Sequence, residues 1–219
     1  EIGRGVGAKL SQRPALGRIR ADKPGVRREQ IEIGVAVRAR GRRVTTGIHH
    51  VTALTRNVQK NVNFYAGFLG LRLVKQTGGY EDAEQLHLFY GDRLGSPGSI
   101  VTFLVWQDGA AGRVGLGQVS EIAFAVAPGC LGEWLTRAMR AGVPVSGPAQ
   151  EMGESVLRLR DPDGIIVKLV GLDMPAEAPL DDPTAPTRIR GVTILTDNAE
   201  TVAGFLNRFE GARRLNRVS

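Results

Sequence analysis

Two adjacent histidines, His49 and His50, are the residues of this sequence best suited to chemistry. Imidazole nitrogens bind divalent metals and exchange protons near neutral pH. Both histidines lie in the stretch 48–55, whose apolar and β-branched residues are typical of a β-strand. Because neighbouring residues of a strand face opposite sides of a sheet, we expect only one of the two imidazoles to point into a given cavity.

Three further residues could take part in chemistry, but simpler interpretations are available for each. His87 should face away from its apolar neighbours and line the same cavity if they face the core, although a hydrogen-bonded structural histidine is the simpler interpretation. Glu121 is a candidate carboxylate ligand, with a solvated strand face as the simpler alternative. Cys130 has no recognisable base beside it, and a single cysteine excludes an internal disulfide and fits a reducing compartment.

The element that follows the two histidines predicts how they are positioned. Asn57 is suited to cap a helix, and Gly70 is suited to end it. Strand-like stretches follow at 71–74, 85–90 and 99–106, and a Gly/Pro-rich turn separates the last two. The order predicts a βαβββ module over residues 44–106. One apolar face of its helix is formed by Val58, Val62, Tyr65 and Leu69.

A second copy of this pattern occupies residues 118–172. A strand is predicted at 119–126, a helix at 131–141 that stops at Gly142, and a final strand at 165–170 after an Asp-Pro-Asp-Gly turn. The chain therefore contains an internal repeat of roughly sixty residues. The inward face of the second helix is predicted to consist of Leu131, Trp134, Leu135 and Met139.

A third copy begins after a Pro- and Asp-rich stretch, 173–187, which has the composition of a linker. Residues 189–195 resemble 48–54, and 197–200 form a capping-box pattern that opens a helix. We expect residues 188–219 to be the start of a truncated second domain that lacks its remaining strands. Its helix should then be mobile or drive self-association, because it exposes Val202, Phe205 and Phe209.

The positive charge is concentrated at the N-terminus. Residues 1–43 hold 12 of the 29 Lys and Arg but 4 of the 22 Asp and Glu, whereas the remainder holds 17 against 18. We interpret 1–43 as a disordered basic tail, with an upstream sequence foreign to the natural protein or a nucleic-acid-binding arm as alternatives. The remainder has no basic field that would indicate a nucleic-acid partner.

The repeat, with a histidine on its opening strand, resembles the vicinal oxygen chelate superfamily of glyoxalases, bleomycin-resistance proteins and extradiol dioxygenases. The segments GIHHVTALTRNVQKNVNFYAGFLGLRLVKQT, HLFYGDRLGSPGSIVTFLVW and RLRDPDGIIVKLV are similar to ring-cleaving dioxygenases that act on hydroquinone-type substrates. The resemblance covers residues 46–215. It implies an α+β fold in which paired βαβββ modules form a curved mixed sheet, the vicinal oxygen chelate fold.

The resemblance also implies a site. A divalent metal, Fe(II) with Mn(II) as the alternative, would be bound by His50, while His49 and Thr52 would assist the chemistry of a small dihydroxylated aromatic and O₂. In the family, a second histidine and a glutamate come from a fourth module, which this sequence does not reach. The corresponding positions of the other copies hold Gly191 and Lys168. We therefore expect the metal site to be incomplete.

Two other functions remain open on the same scaffold. One is a glyoxalase-type metal-dependent isomerase or lyase, and the other is a metal-free ligand-binding protein of the resistance type. The sequence has no apolar run long enough to span a bilayer, so we expect a cytoplasmic protein with no membrane partner. A homo-oligomer, in which modules from two copies of the chain pair, is one way to complete the curved sheet around a binding site.

Overall fold

A computed structural model describes residues 29–35, 47–78, 85–206, 208 and 212–218, and of 31–35 and 212–218 it describes the backbone alone. The elements in chain order are β1 Glu29–Val35, β2 His50–Thr55, α1 Val58–Val62, a π-helical segment Asn63–Phe68, β3 Arg72–Gly78, β4 Leu86–Gly91 and β5 Ile100–Val105. They continue with β6 Gln118–Val126, a 3₁₀ turn Pro128–Cys130, α2 Leu131–Ala141, β7 Val145–Glu151, β8 Glu154–Arg160, β9 Ile166–Gly171, β10 Arg188–Thr196, α3 Ala199–Leu206 and β11 Ala212–Val218.

The structure contains both βαβββ modules, as the repeat predicts. The first forms a four-stranded sheet in the order β2-β5-β4-β3. The second has the same order, β6-β9-β8-β7, and in each module the opening and last strands are parallel. The shared topology lets each residue of one module be matched to a residue of the other.

The paired βαβββ modules form the predicted α+β fold with mixed β-sheets, but hydrogen bonding divides the strands into two sheets, so the modules do not join edge to edge. The sheet of the second module continues through β10, β1 and β11 into a seven-stranded sheet, while the first module keeps a sheet of its own. The modules instead pack through their helical faces, because each helix covers one apolar side of its sheet. Phe68 and Trp134 meet in this core with ring centroids 5.7 Å apart.

The helices follow the sequence signals with one correction. Asn57 caps α1 by accepting a hydrogen bond from the backbone N–H of Lys60 at 2.9 Å. In α2, Leu131 and Trp134 are buried as predicted, but Met139 is 70% exposed. Ala138 takes the inward position instead, because it lies one turn beyond Trp134 on the face that meets the core.

The segment 29–35 departs from the predicted disordered tail. It forms β1, which pairs antiparallel with both β10 and β11. The alternation of apolar and polar residues over 30–33 suits a strand, and the adjacent β10 offers an edge to pair with. The carboxylate of Glu29 also accepts a hydrogen bond from the backbone N–H of Ala199, 3.1 Å away, at the start of α3. The rest of 1–43 lies outside the described residues.

The third copy contains β10, α3 and one further strand, β11, so it extends beyond the predicted strand and helix. On α3, Phe205 is 56% exposed and Val202 is half-buried, whereas Phe209 lies outside the described residues.

The predicted linker 173–187 has no helix or strand but is anchored to both modules. Arg93 of the first module forms an ion pair with Asp181. The indole N–H of Trp134 in the second donates to the carbonyl of Thr184 at 2.9 Å. These contacts make the segment part of the packed structure.

Candidate functional site

The opening strand of the first module presents one open face. Along β2, His50, Thr52 and Leu54 are exposed, while Val51 and Ala53 are half-buried and pack against the core. Strand alternation therefore places His50 and Thr52 on the same side of the sheet, opposite the side that α1 covers.

The strand register identifies the remaining residues of this face. Thr52 is paired with Thr102 of β5, and Thr102 is paired with Phe89 of β4. Because directly paired residues point to the same side, three rows of side chains cross the sheet. We call this set the first-module face; its rows are His50–Ile100, Thr52–Thr102–Phe89–Lys75 and Leu54–Leu104–His87–Thr77.

The two adjacent histidines are in contact, which corrects the expectation that they point to opposite sides. Their Nδ1 atoms are 3.0 Å apart, and both side chains are exposed. The alternation rule does not apply, because β2 begins at His50 and His49 precedes it. Gly98 fixes this backbone by donating its N–H to the carbonyl of His49 at 2.7 Å. Its φ of +86° suits glycine.

Thr52 is held by a neighbour that the sequence analysis did not single out. The hydroxyl of Thr102, which is buried, donates to the hydroxyl oxygen of Thr52 at 3.0 Å. The proton of Thr52 therefore remains available for another acceptor. Only the pairing of β2 with β5, which is a long-range contact, reveals Thr102 as part of the site.

His87 lies on this face, as its alternation with two leucines suggested. Leu88 is fully buried and Leu86 packs against the same core, so His87 points the other way. Its ring lies 4.1 Å from that of Phe89 between centroids. Burial, with electrostatic repulsion from the sites of His50 and Lys75, lowers the pKa of His87 below its ordinary value. All three histidines of the chain thus lie on or beside one face.

The Asp-Pro-Asp-Gly turn of the second module holds the end of β2. Asp163 accepts hydrogen bonds from the hydroxyl of Thr55 at 2.6 Å and from Nε of Arg56 at 3.3 Å. Asp161 accepts from the hydroxyl of Tyr65 at 3.0 Å, and burial raises the pKa of this aspartate. The turn therefore fixes the opening strand of the first module relative to the second.

The equivalent face of the second module is filled by charged groups. Register places Lys168 where the first module has Thr102, and Glu121 where it has His50. Arg158 contacts Glu121 at 2.7 Å and Glu151 at 2.6 Å, while Lys168, 1% exposed, lies 3.3 Å from Glu151. Glu121 is 8% exposed, so the expectation that it lies on a solvated strand face is wrong. Its ion pair with Arg158 also means that its carboxylate is not free to bind a metal.

The donor chemistry of the first-module face fits one metal ligand but not a complete set. His50 is exposed, and its Nδ1 contacts His49, which leaves Nε2 as the nitrogen suited to a metal. Among the described residues, no group of three His, Cys, Asp or Glu side chains could hold an ion. Further ligands would have to come from elsewhere.

A cleft of about 480 Å³ lies beside the outer edge of β2, between the two modules. Its walls include Thr52 and Leu54 from the first module and Val119 and Ile165 from the second. Its volume lies within the range of small-molecule sites. Neither His50 nor His87 lines it, so Thr52 and Leu54 are the residues that the cleft shares with the first-module face. No helix in the described part of the chain is long and apolar enough to cross a membrane.

Several characterised or named proteins are similar to this chain. MhqO of Bacillus subtilis (strain 168), provisionally named a ring-cleaving dioxygenase, is 34% identical over 179 residues, which is 79% of this chain and 57% of MhqO. The chlorohydroquinone/hydroquinone 1,2-dioxygenase of Sphingobium indicum is 33% identical over 147 residues, 65% of this chain and 46% of that enzyme. The chain thus spans about half the length of the curated relatives it matches.

Comparison with solved structures gives matches of the same kind. A crystal structure of a Bacillus subtilis protein, provisionally named a dioxygenase, has a TM-score of 0.62 at 34% identity and covers 68% of this chain and 49% of that one. A glyoxalase I variant from Zea mays shares the fold at 17% identity, with a TM-score of 0.50, over 61% of this chain and 47% of that one. A family model matches residues 47–169, more than half of the chain. The chain belongs to the Glyoxalase/Bleomycin resistance protein/Dioxygenase superfamily.

Proposed function

We propose that this chain belongs to a ring-cleaving dioxygenase of the extradiol type, which acts on a small dihydroxylated aromatic such as hydroquinone together with O₂. The observation that carries the proposal is the open face on which His50 and Thr52 lie side by side, with His49 in contact with His50. Relatives at 33–42% identity that are named as dioxygenases support the general kind of activity.

The contact between the histidines suggests how His50 is prepared as a ligand. One of the two Nδ1 atoms, 3.0 Å apart, must carry the proton. If His50 Nδ1–H donates to His49, the lone pair of His50 is on Nε2, which is free to bind a metal, and His49 carries its proton on Nε2. His49 thus orients His50 and presents a donor to a bound substrate.

Thr52 is placed to act on the substrate. Because its oxygen already accepts from Thr102, its own proton can be donated to a phenolate oxygen bound over the face. A metal such as Fe(II), or Mn(II), would bring O₂ and the aromatic together when bound, because O₂ reacts poorly with closed-shell phenolates. Among the described residues, His50 is the one ligand that we assign.

Oxygen consumption tests this function. The chain is loaded anaerobically with Fe(II), and O₂ uptake is measured with hydroquinone. We expect uptake that falls at least about 100-fold in His50→Ala, since loss of an outer-sphere partner alone costs 10–100-fold. Thr136→Val is the matched control, because Thr136 is exposed on α2 of the second module and is not part of the first-module face, so this variant should retain activity.

Other outcomes would replace the proposal. Isomerisation of a hemithioacetal without O₂ uptake would assign the chain to the glyoxalase type. Binding of hydroquinone with neither reaction, even when iron is taken up, would make it a ligand-binding protein.

A further inference from the structure

The imidazole of His87 has a ring nitrogen without a partner. Its Nε2 is closed to solvent and has no hydrogen-bond partner among the described residues. The great majority of buried polar atoms are paired, so such an atom needs an explanation. The ring is fixed by its contact with Phe89, 4.1 Å away between centroids. An unpaired nitrogen on a candidate binding face points to a group that arrives with a ligand.

His87 and His50 lie in opposite outer rows of the first-module face. His50 is paired with Ile100 and His87 with Leu104 of the same strand. Four residues of a strand span about 13 Å, which leaves one row of side chains between the two histidines. That middle row consists of Thr52, Thr102, Phe89 and Lys75, whose Nζ lies 5.5 Å from the centre of the Phe89 ring.

The surface between the histidines suits an aromatic ring. Ile100, Leu104 and Phe89 supply half-buried apolar area, and Thr52 supplies a hydroxyl donor. A ring on this surface would lie between His50 on one side and His87 on the other. Such a distribution matches a ligand with polar substituents at opposite ends.

We propose that Nε2 of His87 hydrogen-bonds the second hydroxyl of the substrate, the one para to the hydroxyl near His50, and so favours para-diols over ortho-diols. This inference rests on the proposed function. In an ortho-diol both hydroxyls lie at the same end of the ring, and His87 stays unpaired. Because Nε2 is closed to solvent, the bond forms away from water, where an unpaired partner is costly.

Histidine NMR tests the inference directly, because the chain has three histidines. The full chain, metal-free and anaerobic, is labelled with ¹⁵N-histidine and titrated with hydroquinone, catechol or phenol. His49→Gln, His50→Gln and His87→Gln assign the signals. We expect hydroquinone alone to shift Nε2 of His87.

Affinity provides the second readout. In His87→Phe, which keeps an aromatic ring beside Phe89, we expect the Kd for hydroquinone to rise about tenfold, the effect of one hydrogen bond. The Kd for phenol should not change. Thr136→Val, on the exposed side of α2 in the second module, is the control and should leave both constants unchanged.

The outcomes separate this inference from the proposed function. A His87 signal that responds equally to phenol and hydroquinone, or to neither, overturns the inference. If O₂ is still consumed with hydroquinone, the dioxygenase proposal stands without it. If His87 responds to hydroquinone but the iron-loaded chain consumes no O₂, the binding role stands and the proposed reaction fails.

Discussion

Replacing Lys168 by methionine should destabilise the chain by about 3 kcal/mol, the lower end of the cost of breaking a buried ion pair. Lys168 is 1% exposed, and its Nζ lies 3.3 Å from Glu151 and 3.8 Å from Glu121. At an effective dielectric constant near 20, the shorter contact alone gives about 5 kcal/mol of gross attraction, which lysine desolvation offsets in part. Methionine fits the space but leaves Arg158 facing two carboxylates.

Urea unfolding followed by circular dichroism measures this loss through the midpoint at a common m-value. The double variant Lys168→Met/Glu151→Gln restores neutrality and should recover about half of the loss, a coupling typical of residues in contact. Lys60→Met, on the exposed side of α1, should stay within about 0.5 kcal/mol of the parent. A loss below about 1 kcal/mol for Lys168→Met, or no recovery in the double variant, would refute the reasoning.

The ion pairs among Lys168, Glu151 and Arg158 predict that the free energy of unfolding depends on pH. Burial alone would raise the pKa of Glu151, but the hydrogen bond from Arg158 and the charge of Lys168 outweigh it and lower that pKa. A lowered folded-state pKa contributes stability that is present above the ordinary glutamate value, about 4.3, and is lost as pH falls through the folded value. The difference between the parent and Lys168→Met should therefore shrink below about pH 4.

Two further substitutions test the contacts that position β2. Tyr65→Phe removes the donor to Asp161 and should cost about 2 kcal/mol at pH 7, as for hydrogen bonds to charged groups. Burial raises the pKa of Asp161 and the Tyr65 hydroxyl opposes that rise, so the cost should decrease toward acid pH; a cost independent of pH would contradict this. Gly98→Ala strains a backbone with φ of +86° and should cost about 1–2 kcal/mol in thermal unfolding and weaken metal binding at His50. Gly112→Ala, in open space, is its control and should change neither property.

Local sequence patterns were sufficient to predict the helices and strands of the two modules. The cap at Asn57, the left-handed glycine at Gly142 and the apolar periodicity of 58–69 are signals between residues near in sequence, and the structure confirms them. The prediction for Met139 was wrong because Ala138 and Met139 are consecutive residues of α2 that both lie near its inward side, and packing against the neighbouring elements buries Ala138.

The candidate site was predictable only in part. The position of His50 on an opening strand could be inferred from sequence, and resemblance to a family suggested its role, which stays a prediction. Its contact with His49 depends on where β2 begins, which alternation cannot indicate. Phe89 had a weak signal, since it alternates with two core residues, whereas nothing near Thr102 in sequence connects it to Thr52.

The sequence by itself therefore determined which segments of the two modules become strands and helices, and which residues within each of those strands share a face, because these properties depend on neighbours a few positions away. The tertiary structure alone decided which strands became partners. It placed Thr102 beneath Thr52, aligned His87 with the far end of the face and enclosed Lys168 among carboxylates. It also joined β10 to β6 and inserted β1 beside it. Register and sheet order depend on contacts between residues distant in sequence, where many pairings satisfy the same local pattern and only the packed core selects one.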